Sequence, residues 1–62
     1  MWIKTDTGSL VNVDAMDYIE YSSQHDVTKT YHNDDIFIIA KGDVTALIFA
    51  NLRMGKPTME VE

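Results

Sequence analysis

The sequence has no cysteine, a single proline and only five basic residues among its 62 residues. The absence of cysteine excludes disulfides and thiolate metal sites such as zinc ribbons. Ten acids against those five bases give a net charge of −5, which argues against direct binding to duplex DNA or to an anionic membrane. No apolar run approaches the roughly 20 residues that a membrane-spanning helix needs, and the opening residues lead us to expect no signal peptide. We therefore expect a small, acidic, cytoplasmic domain.

The composition is that of a globular chain, with 45% hydrophobic and 24% charged residues. A chain of this length buries only about 60% of the surface that its unfolded form exposes. Small domains usually compensate with disulfides, a structural metal or self-association. Since disulfides are excluded, a metal ion and an oligomer both remain open.

The clearest local signals belong to a helix over residues 43–54. Asp43 is suited to the N-cap, because its carboxylate can accept hydrogen bonds from the amides of the first turn. Gly55 can adopt the left-handed conformation that often ends a helix, and Arg53 suits the negative helix end. Start and stop signals therefore agree.

The predicted helix has an apolar stripe and a second face with little charge. Val44, Ile48 and Leu52 form the stripe, while the opposite side carries Ala46 and Ala50. A surface helix normally has more charge on its outer side. Either the helix is covered on two sides, or the two alanines contact another copy of the chain.

The residues before the helix alternate in the manner of short strands. The predicted strands span 1–5, 9–13, 18–23, 27–31 and 36–40. Five strands at such close spacing predict a small antiparallel β-meander, and the C-terminal helix packs on one of its faces. The predicted fold is α+β, with a single domain over 1–55 and a C-terminal tail over 56–62. We expect this tail to be loose, with a short edge strand at Met59 and Val61 as the alternative.

Acidic residues are concentrated in the first part of the chain. Residues 1–35 contain seven acids and two bases, whereas residues 36–62 contain three of each. One interpretation is a solvated rim of turns, in which Asp is common. The other is an acidic surface that complements a basic protein. Six acids lie between positions 14 and 35: Asp14, Asp17, Glu20, Asp26, Asp34 and Asp35.

Two histidines lie in the same acidic part, and each has an acid nearby. His25 precedes Asp26, and His32 lies two residues before Asp34. Imidazole and carboxylate groups are competent zinc ligands, but a strand between the histidines would separate them by about 23 Å. They are either ordinary surface residues or parts of separate sites, each of which needs a further ligand from a neighbouring turn or a second molecule. A structural zinc is therefore one hypothesis.

Nothing in the sequence indicates an active site. A nucleophile elbow and a glycine-rich phosphate loop are both absent, so we expect a protein that is not an enzyme. Tyr18 stands out among the aromatic residues, because alternation places it with Glu20 and away from Ile19 and Tyr21. An exposed tyrosine with acidic neighbours is a typical anchor of a protein interface.

The chain opens with Met1-Trp2-Ile3-Lys4-Thr5, followed by Gly8 and Leu10-Val11-Asn12-Val13. This opening resembles the start of many short proteins of streptococcal and related phages and prophages. Within that group the sequence looks like a type II anti-CRISPR protein, a small phage-encoded inhibitor of the RNA-guided Cas nuclease. The resemblance covers about the first 13 residues and includes no catalytic motif.

The resemblance implies inhibition by stoichiometric binding. The target nuclease holds its guide–target heteroduplex in a positively charged channel. The six acids between positions 14 and 35 would contact that surface, with Tyr18 as an anchor, and would block target DNA loading or cleavage. Two alternatives remain open. One is a structural or regulatory phage protein that self-associates through Ala46, Ala50 and the N-terminal hairpin, and the other is a small module with a structural zinc.

Overall fold

The computed structural model describes residues 1–61 and consists of one helix and six strands in two small sheets. The strands are β1 (Trp2–Lys4), β2 (Leu10–Asn12), β3 (Tyr18–Ser22), β4 (Val27–His32), β5 (Asp35–Lys41) and β6 (Thr58–Glu60), and the helix is α1 (Thr45–Arg53). The helix follows five strands and packs on them. The predicted α+β class is confirmed.

The strands form two three-stranded sheets instead of one meander. Their orders are β2-β1-β6 and β3-β4-β5. The division falls at a 3₁₀ turn, Val13–Ala15, where the side chain of Asn12 accepts a hydrogen bond of 3.1 Å from the Asp14 amide. Because this turn ends β2, the next strand begins a second sheet instead of continuing the first.

The C-terminal segment belongs to the first sheet. Strand β6 pairs in parallel with β1, and Met59 lies opposite Ile3. Val61 is buried, and its amide donates a 3.0 Å hydrogen bond to the carbonyl of Lys4. The predicted loose tail is therefore wrong over residues 58–61, and the alternative of a short edge strand at Met59 is confirmed. Residue 62 lies outside the described part of the chain.

The core lies where the two sheets and the helix meet. Ile3 from β1, Ile39 from β5 and Ile48 from α1 are completely or almost completely buried. The remaining buried members of the cluster are Met1, Val13, Ala40 and Val61. Each secondary-structure layer therefore contributes one large aliphatic side chain, and the core stays small, as expected for a chain of this length.

A β-bulge in β5 brings Ile39 into this core. Thr28 of β4 pairs with Ala40, whereas Lys29 pairs with Ile38, so that Ile39 is an extra residue. The bulge interrupts the alternation of faces, and Ile39 and Ala40 are both buried. The loop after β1 is fastened at the same place: the Asp6 amide donates to the Ile39 carbonyl at 3.2 Å.

Two buried threonines support the second sheet. The Thr28 hydroxyl donates to the Gly42 carbonyl at 2.7 Å and accepts from the Val44 amide at 2.9 Å. The Thr30 hydroxyl donates to the Tyr18 carbonyl at 2.9 Å. Thr28 therefore satisfies two backbone groups in the link between β5 and α1, where no regular ladder is available.

The helix begins and ends almost where the sequence predicts. The N-cap position is occupied by Val44 instead of the predicted Asp43. Asp43 lies one residue earlier and still accepts hydrogen bonds from the Thr45 hydroxyl at 2.6 Å and the Thr45 amide at 3.0 Å. These bonds hold the pKa of Asp43 below its usual value. At the other end Gly55 has φ of +69°, and the amides of Gly55 and Lys56 donate to the carbonyls of Leu52 and Asn51. This is the Schellman arrangement that stops a helix.

We expect replacement of Thr28 by valine to destabilise the domain. The change keeps the shape of the side chain but leaves the Gly42 carbonyl and the Val44 amide without their partner. Loss of these bonds should lower the free energy of unfolding by about 2 kcal/mol, which is about 10 °C in the melting temperature of so small a domain.

Thermal and urea unfolding followed by circular dichroism would measure the loss. The control is Thr58→Val, the same change on an exposed position of β6, where a difference of less than about 0.5 kcal/mol is expected. Equal stability of the two variants would contradict the role given to the Thr28 hydroxyl.

Candidate protein-binding face

The outward surface of the sheet β3-β4-β5 is the strongest candidate for a functional site. Cross-strand pairing sets its side chains in two rows across the three strands, and we call these six residues the outer face. One row is Tyr18, Tyr31 and Ile36, and the other is Glu20, Lys29 and Ile38. The face thus joins an aromatic pair, an ion pair and two isoleucines.

The centre of the outer face is ordered by contacts among its own side chains. The rings of Tyr18 and Tyr31 are stacked, with centroids 4.4 Å apart and planes inclined by 18°. The Tyr31 hydroxyl donates to Glu20 Oε1 at 2.6 Å. Lys29 Nζ lies 3.7 Å from the same carboxylate oxygen and 5.4 Å from the centroid of the Tyr31 ring. These contacts fix the side chains before any partner binds.

The alternation of the sequence predicts the position of Tyr18 correctly. Its side chain shares the outer face with Glu20 and is 53% exposed, whereas the neighbouring Ile19 is half-buried below the sheet. The opposite side of the sheet turns toward the helix, where Ile19 lines a small cavity with Ile48 and Phe49. Tyr18 is therefore accessible to a partner.

Hydrogen bonds to carboxylates alter the titration of two tyrosines. The Glu20 carboxylate, which accepts the Tyr31 hydroxyl, raises the pKa of Tyr31 above 10.0, and the nearby Lys29 ammonium partly opposes this. Asp26 acts in the same way on Tyr21, whose hydroxyl donates to it at 2.7 Å. In both pairs the neutral phenol is the form that the fold favours.

The predicted acidic residues are all exposed, but they lie at different places around the second sheet. Asp14 and Asp17 precede β3, Asp34 lies in the turn before β5, and Asp35 is the first residue of β5; we call these four residues the acidic end. The turn is tied to β3, because the Asn33 amide donates to Asp17 Oδ2 at 2.9 Å. The acidic end therefore lies beside the first row of the outer face, which is Tyr18, Tyr31 and Ile36.

The two other acids lie apart from the acidic end. Glu20 is in the middle of the outer face, and Asp26 is in the turn between β3 and β4, at the opposite end of the sheet. Asp14 also has a partner of its own, since it forms an ion pair with the amino group of Met1. The six acids thus form one end group, one central residue and one residue at the far end.

The histidines are held at opposite ends of β4. His25 lies in the turn before this strand and His32 is its last residue. The Nδ1 atom of His32 is 3.0 Å from the Ala15 carbonyl, to which it donates in the corresponding tautomer. Asp26, the neighbour of His25, already accepts the Tyr21 hydroxyl.

Residues 1–61 contain no group of three or more histidine and acidic side chains placed to hold one metal ion. A structural zinc that uses His25 with Asp26, or His32 with Asp34, stays a prediction that requires a further ligand from a second molecule.

The sequence did not predict that β5, the most apolar strand, is exposed. Ile36 is 54% exposed and Ile38 is 49% exposed, and Phe37 on the other side of the strand is 38% exposed. A continuous apolar run favours a central, buried strand, yet β5 lies at the edge of its sheet. No residue within the run distinguishes an edge from a centre, so no sequence signal was available.

The outward side of α1 is also apolar. Ala46 and Ala50 are exposed within residues 1–61, so a helix covered on two sides is not observed there; their contact with another copy stays a prediction. Phe49 is 62% exposed beside them, and the Arg53 guanidinium lies 5.7 Å from its ring centroid. Within residues 1–61 the helix is covered on one side only, by the packing of Ile48 and Val44 on the core.

Three concavities of the described surface are open and shallow. The first, about 260 Å³, lies between Trp2 and Glu60 on the outward side of the first sheet. A second of about 170 Å³ lies between Ile19 and the helix. A third of about 320 Å³ lies beside Ala50 and Arg53. Sites for small ligands usually enclose most of the ligand surface in a deep cleft, whereas these three concavities are open, so a flat partner suits this surface better.

Within residues 1–61 no helix is both long enough and apolar enough to cross a membrane. No protein-family model, no curated protein and no solved structure matches the chain. The fold and the geometry of the outer face are therefore the physical basis for a functional proposal.

We expect Glu20→Gln to lower the pKa of Tyr31 toward 10.0, because the variant removes the negative charge that disfavours the phenolate. Residue-resolved NMR titration of the tyrosine rings would measure this pKa. Tyr21 is the internal control, since its pKa is raised by Asp26 and should not change. An unaltered pKa of Tyr31 would contradict the hydrogen bond to Glu20.

The same pair predicts how stability depends on pH. Because the pKa of Tyr31 is raised in the folded state, its hydrogen bond to Glu20 stabilises the fold fully below pH about 10. This stabilisation is lost as the pH rises through the pKa of folded Tyr31. Glu20→Gln should reduce the steepness of this alkaline loss, which unfolding at several pH values would follow.

Proposed function

We propose that the protein is a non-enzymatic phage inhibitor that binds a type II CRISPR effector nuclease in the bacterial cytoplasm. The proposal combines the resemblance of the first 13 residues with one structural observation, the ordered and exposed outer face beside the acidic end. Binding through this surface would block target DNA loading or cleavage.

The outer face has the properties of a binding surface formed in advance. Tyr18 and Tyr31 are stacked, and Tyr31 is held by Glu20, so little side-chain freedom remains to be lost on association. Tyrosine is among the residues that contribute most to protein interfaces. The aromatic pair would therefore supply the contact area of the complex.

The negative charge of the acidic end would determine which partners bind to this surface. Asp17, Asp34 and Asp35 lie at the same end of the sheet as the aromatic pair, and the whole chain has a net charge of −5. Opposite charges accelerate association and suppress wrong partners. A nuclease channel that holds nucleic acid is strongly basic, and a protein on that surface would compete with the phosphate backbone.

Co-elution with a purified type II nuclease in gel filtration is the direct test. We expect a stoichiometric complex in the presence of guide RNA, together with loss of target DNA binding or cleavage at equimolar protein. The absence of a complex with several such nucleases would contradict the proposal.

Charge reversal at the acidic end should weaken the complex. Asp34 and Asp35 suit this test because neither carboxylate has a hydrogen bond or an ion pair within residues 1–61, whereas Glu20 and Asp26 hold tyrosine hydroxyls. The variant Asp34→Lys should lower affinity about tenfold or more, mainly through slower association at low salt.

The control is Glu60→Lys, which changes the net charge equally but lies on β6 of the other sheet, where it removes only an exposed ion pair with Lys4 at 3.8 Å. Surface plasmon resonance at two salt concentrations would measure both variants, and thermal unfolding would verify their folding. An equal loss in the two variants would indicate a general effect of net charge and would contradict binding through the acidic end.

The alternative proposal is a structural or regulatory phage protein that self-associates, with or without a zinc ion. The exposed helix surface around Ala46, Phe49 and Ala50 favours it, since close helix contact needs small residues beside large apolar ones. A dimer would also bury apolar area that the small chain leaves in water.

Sedimentation velocity at several protein concentrations would test this alternative. If the helix is the contact, Ala50→Glu should convert a dimer into a monomer, because it places a charge in the interface. Ala15→Glu, an equal change at an exposed position outside the helix, is the control. A wild-type monomer up to high micromolar concentration would contradict self-association.

A further inference from the structure

The outer edge of β5 has two halves that differ in their surroundings. Over Ile39–Lys41 the edge is occupied by the loop after β1: the Asp6 amide donates to the Ile39 carbonyl, and the Asp6 carboxylate accepts from the Lys41 amide at 2.9 Å. Over residues 35–38, no strand or loop of the described residues 1–61 pairs with this edge. We call these four residues the open edge.

The open edge has little of the protection that is usual for an exposed strand. Proline, charged side chains (above all lysine), inward-pointing charge and a bulge are the common devices, and of these the four residues 35–38 include only the charge of Asp35 at their first position. The bulge lies one residue later, at Ile39. Ile36 and Ile38 project from one side of the strand and Phe37 from the other, and all three are at least 38% exposed.

We propose that the open edge binds an extended segment of the partner protein as an added antiparallel or parallel strand. The segment would be apolar at alternate positions and would have lysine or arginine where it passes Asp34 and Asp35. This inference rests on the proposed function as a protein-binding domain, and it names the way in which the partner is held.

The backbone and the side chains have separate roles in this mode of binding. Backbone hydrogen bonds along the open edge supply affinity for any extended chain, whereas side chains on alternate positions supply specificity. The open edge of four residues is about 13 Å long, so the bound segment is short. On the outer face its side chains would pack beside Ile36 and Ile38 and extend the two rows by one strand.

Charge favours a basic segment over a second copy of this chain. Each copy has a net charge of −5, so two copies repel each other, while the partner that fits Asp34 and Asp35 is positive. The only charged side chain within the open edge itself is the acid Asp35. A basic strand therefore gains both the backbone bonds and the opposite charge.

An eight-residue peptide of alternating Val and Lys is the probe for this edge. Titrated into the ¹⁵N-labelled full chain, it should shift the amide signals of residues 35–38 in a saturable manner. It should slow hydrogen exchange at those amides that face away from β4, since alternate amides of the strand already bond to β4. Amides of β2, in the other sheet, serve as the internal reference. Changes spread evenly over both sheets, or confined to the acidic residues without the amides of 36–38, would overturn the proposal.

Two altered peptides separate the contributions. The same peptide methylated on every backbone nitrogen keeps its side chains and charge but has no N–H donors, and it should lose at least about nine-tenths of the binding, since backbone bonds give the affinity. A peptide with Glu in place of Lys should bind at least about tenfold more weakly. Undiminished binding of the methylated peptide would overturn strand addition.

A matched pair of protein variants tests the location. Ile38→Thr keeps a β-branched residue on β5 but removes apolar contact area, and it should lower the affinity for the Val-Lys peptide several-fold. Leu10→Thr makes a comparable change at an exposed position of β2 and should not alter binding. Equal effects of the two variants would overturn the assignment to the open edge, and so would a wild-type dimer in which β5 amides are protected without peptide.

The peptide experiment needs no nuclease, so the two proposals can fail separately. If the nuclease forms no complex but the peptide protects residues 35–38, the proposed target is wrong and the strand-binding edge stands. If the nuclease binds and neither the peptide nor the nuclease protects these amides, the edge proposal is overturned and the proposed function stands.

Discussion

The extra residue at Ile39 is the feature on which the arrangement of the two sheets depends. A regular β5 would send alternate side chains to opposite faces, so that Ile39 and Ala40 could not both enter the core. The bulge permits both to be buried, and the Ile39 carbonyl then receives the amide of Asp6 from the loop after β1. The bulge therefore lets the second sheet bury two side chains in the core, and it also links that sheet by a hydrogen bond to the loop that follows β1 of the first sheet.

The same bulge determines which part of β5 remains accessible. Asp6 covers the strand from Ile39 onward, because that is where β5 turns toward the core. Before the bulge the strand runs along the outside of the sheet, and its isoleucines remain in water. In a larger domain a further strand or helix would cover them. A 62-residue chain has no such element among its described residues, so the apolar surface is available to a partner.

The sequence predicts local structure better than it predicts the pairing of strands that are far apart in the chain. The helix ends could be predicted because Asp43 and Gly55 act on neighbouring backbone groups, and the alternation around Tyr18 is equally local. The parallel pairing of β6 with β1 joins residues more than fifty positions apart, and no residue type encodes it. The prediction of one meander assumed that consecutive strands pair, which fails at the 3₁₀ turn after Asn12. The exposure of Ile36 and Ile38 depends on that same sheet order and could not be foreseen.

The acidic charge explains how the open edge of β5 can be apolar without pairing with the same edge of another copy. An apolar, unprotected strand edge would normally drive a protein to pair with its own copies. Here Asp34 and Asp35 stand at the start of the strand, and together with the net charge of −5 they oppose the approach of the same edge of a second copy. This protection acts at a distance and leaves the backbone of the edge unobstructed, unlike a proline or a lysine within the strand. The repulsion that opposes a second acidic copy becomes attraction for a basic partner, so the same carboxylates both keep the edge open and select what can bind to it.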